Sequence, residues 1–167
     1  HFPGYTVLMI SAAILNTWLE DAVLSLAAIS AVSGAMLAVP VFFIARQLIH
    51  PRVGWIAAAM ITLNPLVWLY SLQPMSDIPG IFLTYVSVAF LVMTITSPKG
   101  STAQWVYALA AVIMFGLAMG VRLSYFPFAL LFLVLPFYLS WSPVKYSLLI
   151  VSGLCVVGSW VIPTAYH

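Results

Sequence analysis

The chain has 167 residues with a formal net charge of +2; 65% of its residues are hydrophobic, 5% are charged, and the mean hydropathy is +1.17. A water-soluble domain carries about a quarter charged residues, so this composition excludes a soluble globular enzyme and points to a polytopic membrane protein. The small net charge offers no electrostatic footprint for nucleic acid, and the single cysteine, Cys155, permits no intrachain disulfide.

The first apolar run, Tyr5 to Trp18, is shorter than the roughly 20 residues a helix needs to cross the hydrocarbon core, and it reads as an interfacial or re-entrant helix. Glu20-Asp21 follow it and suit the first turn of the next helix, where acids complement the helix dipole. Six longer runs come next: Ala22 to Ala45, Val53 to Leu72, Ile78 to Thr96, Trp105 to Val121, Tyr125 to Ser140 and Tyr146 to Thr164. The fifth is the shortest and carries Pro127 and Pro136 near its ends, while Pro40, Pro65 and Pro163 kink their helices or lie near their termini. Connections rich in Pro, Gly and Ser join the runs.

The predicted fold is all-α, a polytopic integral membrane helical bundle with six transmembrane helices plus one short N-terminal interfacial helix. It forms one transmembrane domain over residues 1–167, with an interfacial segment 1–21 and six spans within 22–164. An apolar run starts close behind His1, with no basic leader or small-residue cleavage site before it, so the chain reads as a fragment of a longer one.

Alternating the connections between two sides puts Arg46, Arg52, Lys99 and Lys145 on one face, and Glu20, Asp21, Asp77 and Arg122 on the other. The positive-inside rule makes the cationic face cytoplasmic and the Asp77 turn periplasmic or lumenal, in a bacterial inner membrane or its equivalent. Tryptophan agrees with these boundaries: Trp55, Trp105 and Trp141 fall at cytoplasmic ends, and Trp18, Trp68 and Trp160 at outer ends, where indole rings favour the headgroup level. Ser30, Gly34 and Ala38 at four-residue spacing, and the Gly116/Gly120 pair, read as close helix packing.

Motifs of soluble enzymes are absent: no phosphate-cradling glycine loop, no HExxH, no nucleophile elbow. Candidate chemistry therefore rests on a few polar groups. Asp77, in the turn Ser71-Leu72-Gln73-Pro74-Met75-Ser76-Asp77-Ile78-Pro79-Gly80, fits an N-cap with Ser76; an acid there could also accept a proton or ligate a cation, and these roles are compatible. Arg122 could snorkel to headgroups or, beside Asp77, hold a phosphate in its planar fork. His1 and His50 fall on opposite faces, so they cannot share a metal, and His50 reads as an interfacial loop residue.

The chain resembles the C-type, multi-spanning glycosyltransferases that use polyprenyl-phosphate sugars, the protein mannosyltransferase and aminoarabinose transferase kind. His1-Phe2-Pro3-Gly4-Tyr5 is similar to their His-Pro-Pro segment. In the same order follow Phe43-Ile44-Ala45-Arg46-Gln47-Leu48 with Pro51-Arg52, Ala57-Ala58-Ala59 to Asn64-Pro65-Leu66, Tyr70-Ser71 through Ser76-Asp77-Ile78-Pro79, and Gly116-Leu117-Ala118 through Gly120-Val121-Arg122. The resemblance covers about residues 1 to 130. It implies an enzyme that moves a sugar from a polyprenyl-phosphate donor, embedded among membrane lipids, to an acceptor hydroxyl at the outer face, usually with inversion. Arg122 would then face the lipid phosphate, His1 would belong with the substrate-binding residues, and Asp77 would be an auxiliary acid.

The family's principal acid lies upstream of the His-Pro segment, so the resemblance implies that the main base precedes residue 1. Phe2 replaces the first proline of the pair, and Arg122 stands where many relatives have lysine. Metal-dependent and metal-independent branches both exist among these proteins, which leaves a divalent cation open and assigns no metal ligand here. A second reading is a non-catalytic structural subunit that associates with other membrane subunits. A transporter is the weakest reading, because transporters place ionisable sites near mid-membrane and every charge here maps to a helix end.

Overall fold

In the structure, a computed structural model, residues 5–140 and 142–165 are described, and every regular element among them is helical. The expectations for His1, Trp141 and the Trp160 side chain lie outside the described residues.

Helix α1 (Thr6–Leu19) is stopped by Glu20, which turns left-handed at φ 53° and gives its N–H to the Asn16 carbonyl at 3.0 Å. Asp21 then starts α2 (Ala22–Met36), its carboxylate accepting from the amides of Val23 at 2.9 Å and Leu24 at 3.0 Å. The two acids are thus divided: one ends a helix, and the other caps the first turn of the next. Leu37 alone separates α2 from α3 (Ala38–Leu48), because Pro40 has no N–H for the Met36 carbonyl and the ladder loosens there. The two helices still form one apolar stretch, Ala22–Leu48.

His50 caps α4 (Pro51–Thr62), its Nδ1 accepting from the Arg52 amide at 3.2 Å. Helix α5 (Pro65–Ser71) follows at a 54° bend from α4. Pro65 breaks the ladder, Asn64 caps the new helix through the Leu66 amide at 2.9 Å, and the Trp68 indole donates to the freed Thr62 carbonyl at 2.5 Å. The indole therefore serves the kink.

Helices α6 (Asp77–Thr96) and α7 (Thr102–Val121) form the central hairpin. Ala108, Ala111 and Ala118 are fully buried, and Ser87 donates to the Ala111 carbonyl at 2.7 Å. Small residues allow that approach, the expected source of helix association where lipid removes the hydrophobic drive. Gly34 gives room to Ser71, and Gly116 to Val156, so both small-residue motifs serve packing. Beyond α7 come a 3₁₀ segment (Leu123–Val134), the single turn α8 (Leu135–Tyr138) and α9 (Pro143–Ala165).

The all-helical membrane bundle is as expected, and the six expected spans differ in length and regularity. Three helices are long and apolar enough to cross a membrane, Ala22–Leu48, Asp77–Thr96 and Thr102–Val121; counting the bent α4–α5 pair as one span makes four. The expected span from Tyr125 to Ser140 is a 3₁₀ segment with Pro127 inside it, followed by one α-turn with Pro136 in its first positions, because each proline removes an α-type hydrogen bond. Helix α9, Pro143–Ala165, covers the sixth expected run, Tyr146 to Thr164. Trp105, in the first turn of α7, is buried, edge-on to Tyr146 at 5.6 Å and beneath the Lys145 ammonium at 5.0 Å.

Candidate functional site at the Asp77–Arg122 end of the α6–α7 hairpin

The turn before α6 is fixed from outside, since Ser30 of α2 donates its hydroxyl to the Met75 carbonyl at 2.9 Å. That contact sets where α6 begins. Ser76 occupies the N-cap position in a helical conformation and makes no side-chain cap, and Asp77 is the first residue of the helix. The Ser76-Asp77 capping expectation is therefore replaced by a different contact, an ion pair between the Asp77 carboxylate Oδ1 and Arg122 Nη1.

Arg122 ends α7 in an extended conformation, its N–H still bonded to the Ala118 carbonyl at 2.9 Å. The pair joins the N-terminus of α6 to the C-terminus of α7, so each charge sits at the helix end whose dipole it complements. Both side chains are partly open, at 40% exposure for Arg122 and 37% for Asp77.

Tyr125, which sequence reasoning did not single out, completes the assembly. Its N–H bonds the Arg122 carbonyl at 3.3 Å, and its hydroxyl donates to the Asp77 carbonyl at 3.0 Å. Gly80, one turn into α6, makes room for the ring: a Cβ there would collide with it. Asp77, Arg122 and Tyr125 thus form a closed ring of three contacts across three elements.

The pair opens into a recess of about 330 Å³, walled by Tyr5, Leu8 and Met9 of the α1 end, Leu26 of α2, the Pro74–Ser76 turn, Asp77 and Arg122. The recess is lined by charged and polar groups together with the apolar side chains of Leu8, Met9, Leu26 and Met75, a mixture that suits an amphiphile with an anionic head. The guanidinium uses Nη1 on Asp77. Its remaining N–H edges match the spacing of phosphate oxygens.

Of the other candidates, His50 is a helix cap and Glu20 and Asp21 are helix termini, all outside this recess. Among the described residues, no group of three or more His, Cys, Asp or Glu side chains is arranged to hold a metal ion. Lys99 follows α6, at the end of the hairpin about 30 Å from Asp77 at the α-helical rise. Lys145, over Trp105, marks the same end.

A family model described as dolichyl-phosphate-mannose-protein mannosyltransferase matches residues 6–167. Neither a curated protein nor a solved structure matches the chain.

Proposed function

Because the chain belongs to the dolichyl-phosphate-mannose-protein mannosyltransferase family, we propose that it takes a sugar from a polyprenyl-phosphate donor and passes it to an acceptor hydroxyl at the periplasmic or lumenal face. It is an integral membrane protein of the mannosyltransferase kind of glycosyltransferase. The observation that carries the finer reading is the Asp77–Arg122 pair, part-exposed at one end of an apolar bundle and opening on a recess lined in part by apolar side chains. A lipid phosphate whose chain lies in the bilayer meets a protein at that depth.

In the reaction the acceptor oxygen forms a bond to the anomeric carbon, the bond from that carbon to the phosphate oxygen breaks, and the electron pair leaves with the lipid phosphate. Arg122 steadies that phosphate as its charge grows, and a carboxylate base takes the acceptor proton. Asp77 acts as an auxiliary acid that holds Arg122 in place, and Tyr125 holds Asp77.

The same reading orients the bundle, with Arg46, Arg52, Lys99 and Lys145 cytoplasmic by the positive-inside rule. It also keeps six crossings. Twelve residues of 3₁₀ helix rise about 24 Å, against about 18 Å as α-helix, and the turn α8 adds about 6 Å. The Leu123–Tyr138 stretch therefore reaches about the 30 Å of a hydrocarbon core despite its few residues.

The test is transfer from dolichyl-phosphate mannose by the purified full chain in detergent or nanodiscs. Losing charge-assisted hydrogen bonds worth about 1.5–3 kcal/mol should cut kcat/KM of Arg122→Ala by roughly 10- to 100-fold. Unchanged turnover in that variant would remove Arg122 from the mechanism. A purely structural pair is the second reading, favoured by the way the two charges satisfy each other. It predicts that a neutral double variant, Asp77→Asn with Arg122→Gln, keeps both stability and transfer, whereas the catalytic reading predicts that stability survives and transfer is lost.

A further inference from the structure

We infer that Asp77 makes this site selective for a singly charged phosphodiester over a doubly charged phosphate monoester, so that the ion pair favours donor over spent carrier. The inference rests on the reading of Arg122 as the phosphate-binding cation, and it gives the carboxylate a task distinct from proton transfer.

The argument is one of charge. Among the described residues lining the recess, Asp77 neutralises the one guanidinium, so an arriving anion meets a pair of net charge zero. The carboxylate also lies within one guanidinium width of any phosphate that takes the free N–H edges. A glycosyl phosphodiester carries one negative charge at every pH near neutrality. A phosphate monoester carries about −1.5 to −2 at pH 7, its second ionisation falling near pH 6.

Each extra negative charge is repelled by Asp77, while the attraction of Arg122 is already divided between two anions. Breaking the sugar–phosphate bond converts the first kind of ligand into the second, with the electron pair left on the phosphate oxygen. The same carboxylate that tolerates the donor thus weakens the hold on the product once the sugar has gone.

At contact distances, with both side chains more than a third exposed, solvent moderates the repulsion to a discrimination of about tenfold. Tyr125 holds the Asp77 backbone carbonyl at 3.0 Å and Ser30 fixes the preceding turn at 2.9 Å, so the backbone that carries the carboxylate is anchored while the carboxylate itself is held by Arg122. Among the described residues, the titratable and charged side chains lining the recess are Asp77 of α6, Arg122 after α7 and Tyr5 before α1, and the α2 wall contributes Leu26; Tyr125 of the 3₁₀ segment bonds the Asp77 carbonyl.

The experiment measures equilibrium binding of two probes, dolichyl phosphate and dolichyl-phosphate mannose, to the purified full chain between pH 5 and 7.5. The ratio of monoester Kd to diester Kd should rise about tenfold across that range in the wild type. Asp77→Asn should flatten or invert the rise, and Asp77→Glu, which keeps the charge, should preserve it. A flat wild-type ratio overturns the inference, as does an Asp77→Asn curve that follows the wild type or an Asp77→Glu curve that follows Asp77→Asn. Failure of the underlying reading has a separate signature, namely Arg122→Ala leaving the Kd of both probes unchanged. If Arg122→Ala weakens binding while the Asp77 variants leave the pH profile untouched, only the charge-selection inference falls.

Discussion

Replacing Gln104 with leucine should be among the most damaging single changes in the bundle, although the residue lies at the end of the α6–α7 hairpin remote from the Asp77–Arg122 pair. Gln104 is fully buried. Its Oε1 accepts from the Gly100 amide at 2.9 Å, and its Nε2 donates to the carbonyls of Thr94 at 3.2 Å and Tyr138 at 3.3 Å. Those carbonyls have no α-helical partner to fall back on. The N–H four residues beyond Thr94 would be that of Pro98, which has none, and α8 ends at Tyr138.

Hydrogen bonds between membrane helices average about 0.6 kcal/mol, so three amount to roughly 2 kcal/mol. A buried group left without a partner adds about 1–3 kcal/mol. Gln104→Leu should therefore cost about 3–5 kcal/mol, read from reversible unfolding in mixed micelles. Gln104→Glu should cost at least as much, because a carboxylate would face two carbonyl oxygens. A loss below about 0.5 kcal/mol for leucine, or a wild-type stability for glutamate, would refute the reasoning, since a satisfied buried amide cannot be removed at so small a cost.

Two further outcomes follow from the helix ends. Gly80→Ala puts a Cβ into the Tyr125 ring, so it should destabilise by about 1–3 kcal/mol and lower transfer, while Tyr125→Phe keeps the ring and should lose only about 0.5–1.5 kcal/mol; thermal unfolding and turnover measured together separate the two. Asp21→Ala removes the acceptor for two amides of α2 and should cost about 1 kcal/mol, with Asp21→Asn nearly neutral, both checked by the same unfolding assay.

What the sequence disclosed, and what it withheld, follows from the reach of each signal. Hydropathy located the α6 and α7 helices to within a few residues, since a run of apolar side chains bounded by polar turns needs no knowledge of partners. The kink at Asn64-Pro65 was legible for the same reason: a missing N–H is a local fact. The 3₁₀ geometry of Leu123–Val134 was not, because apolar residues fill 3₁₀ and α turns alike and hydropathy cannot register a change in rise per residue.

Trp105 was placed at a helix end, where it lies, but its burial against Tyr146 and Lys145 depends on a three-dimensional neighbourhood that no local signal discloses. Gln104 was read as part of a connection, whereas α7 begins at Thr102 and takes the amide into the interior. Asp77 and Arg122 were both identified as candidates from sequence, but their direct contact joins residues far apart in the chain. Tyr125 carried no mark beyond following an arginine near a run boundary, and its hydroxyl acquires meaning only through Gly80 and the Asp77 carbonyl.

The distribution of polar contacts argues that α6 is the element on which the site depends. Many hydroxyls in the bundle are spent locally: Thr84 on the Gly80 carbonyl at 2.8 Å, Thr94 on Phe90 at 2.9 Å, Ser25 on Asp21 at 2.8 Å. Such bonds to the preceding turn satisfy the hydroxyl without joining one helix to another. The contacts that cross between distant segments gather instead on α6 and its flanks. Ser30 holds the turn before it, Arg122 and Tyr125 hold its first residue, Ser87 ties its middle to α7, and Gln104 closes its far end. In a solvent that cannot hydrogen-bond, each of these links is hard to exchange for another partner, so the position of Asp77 is over-determined from both ends of its helix. A charge that must act on another charge at fixed range requires that kind of support, because electrostatic discrimination is lost when the side chain can retreat to solvent.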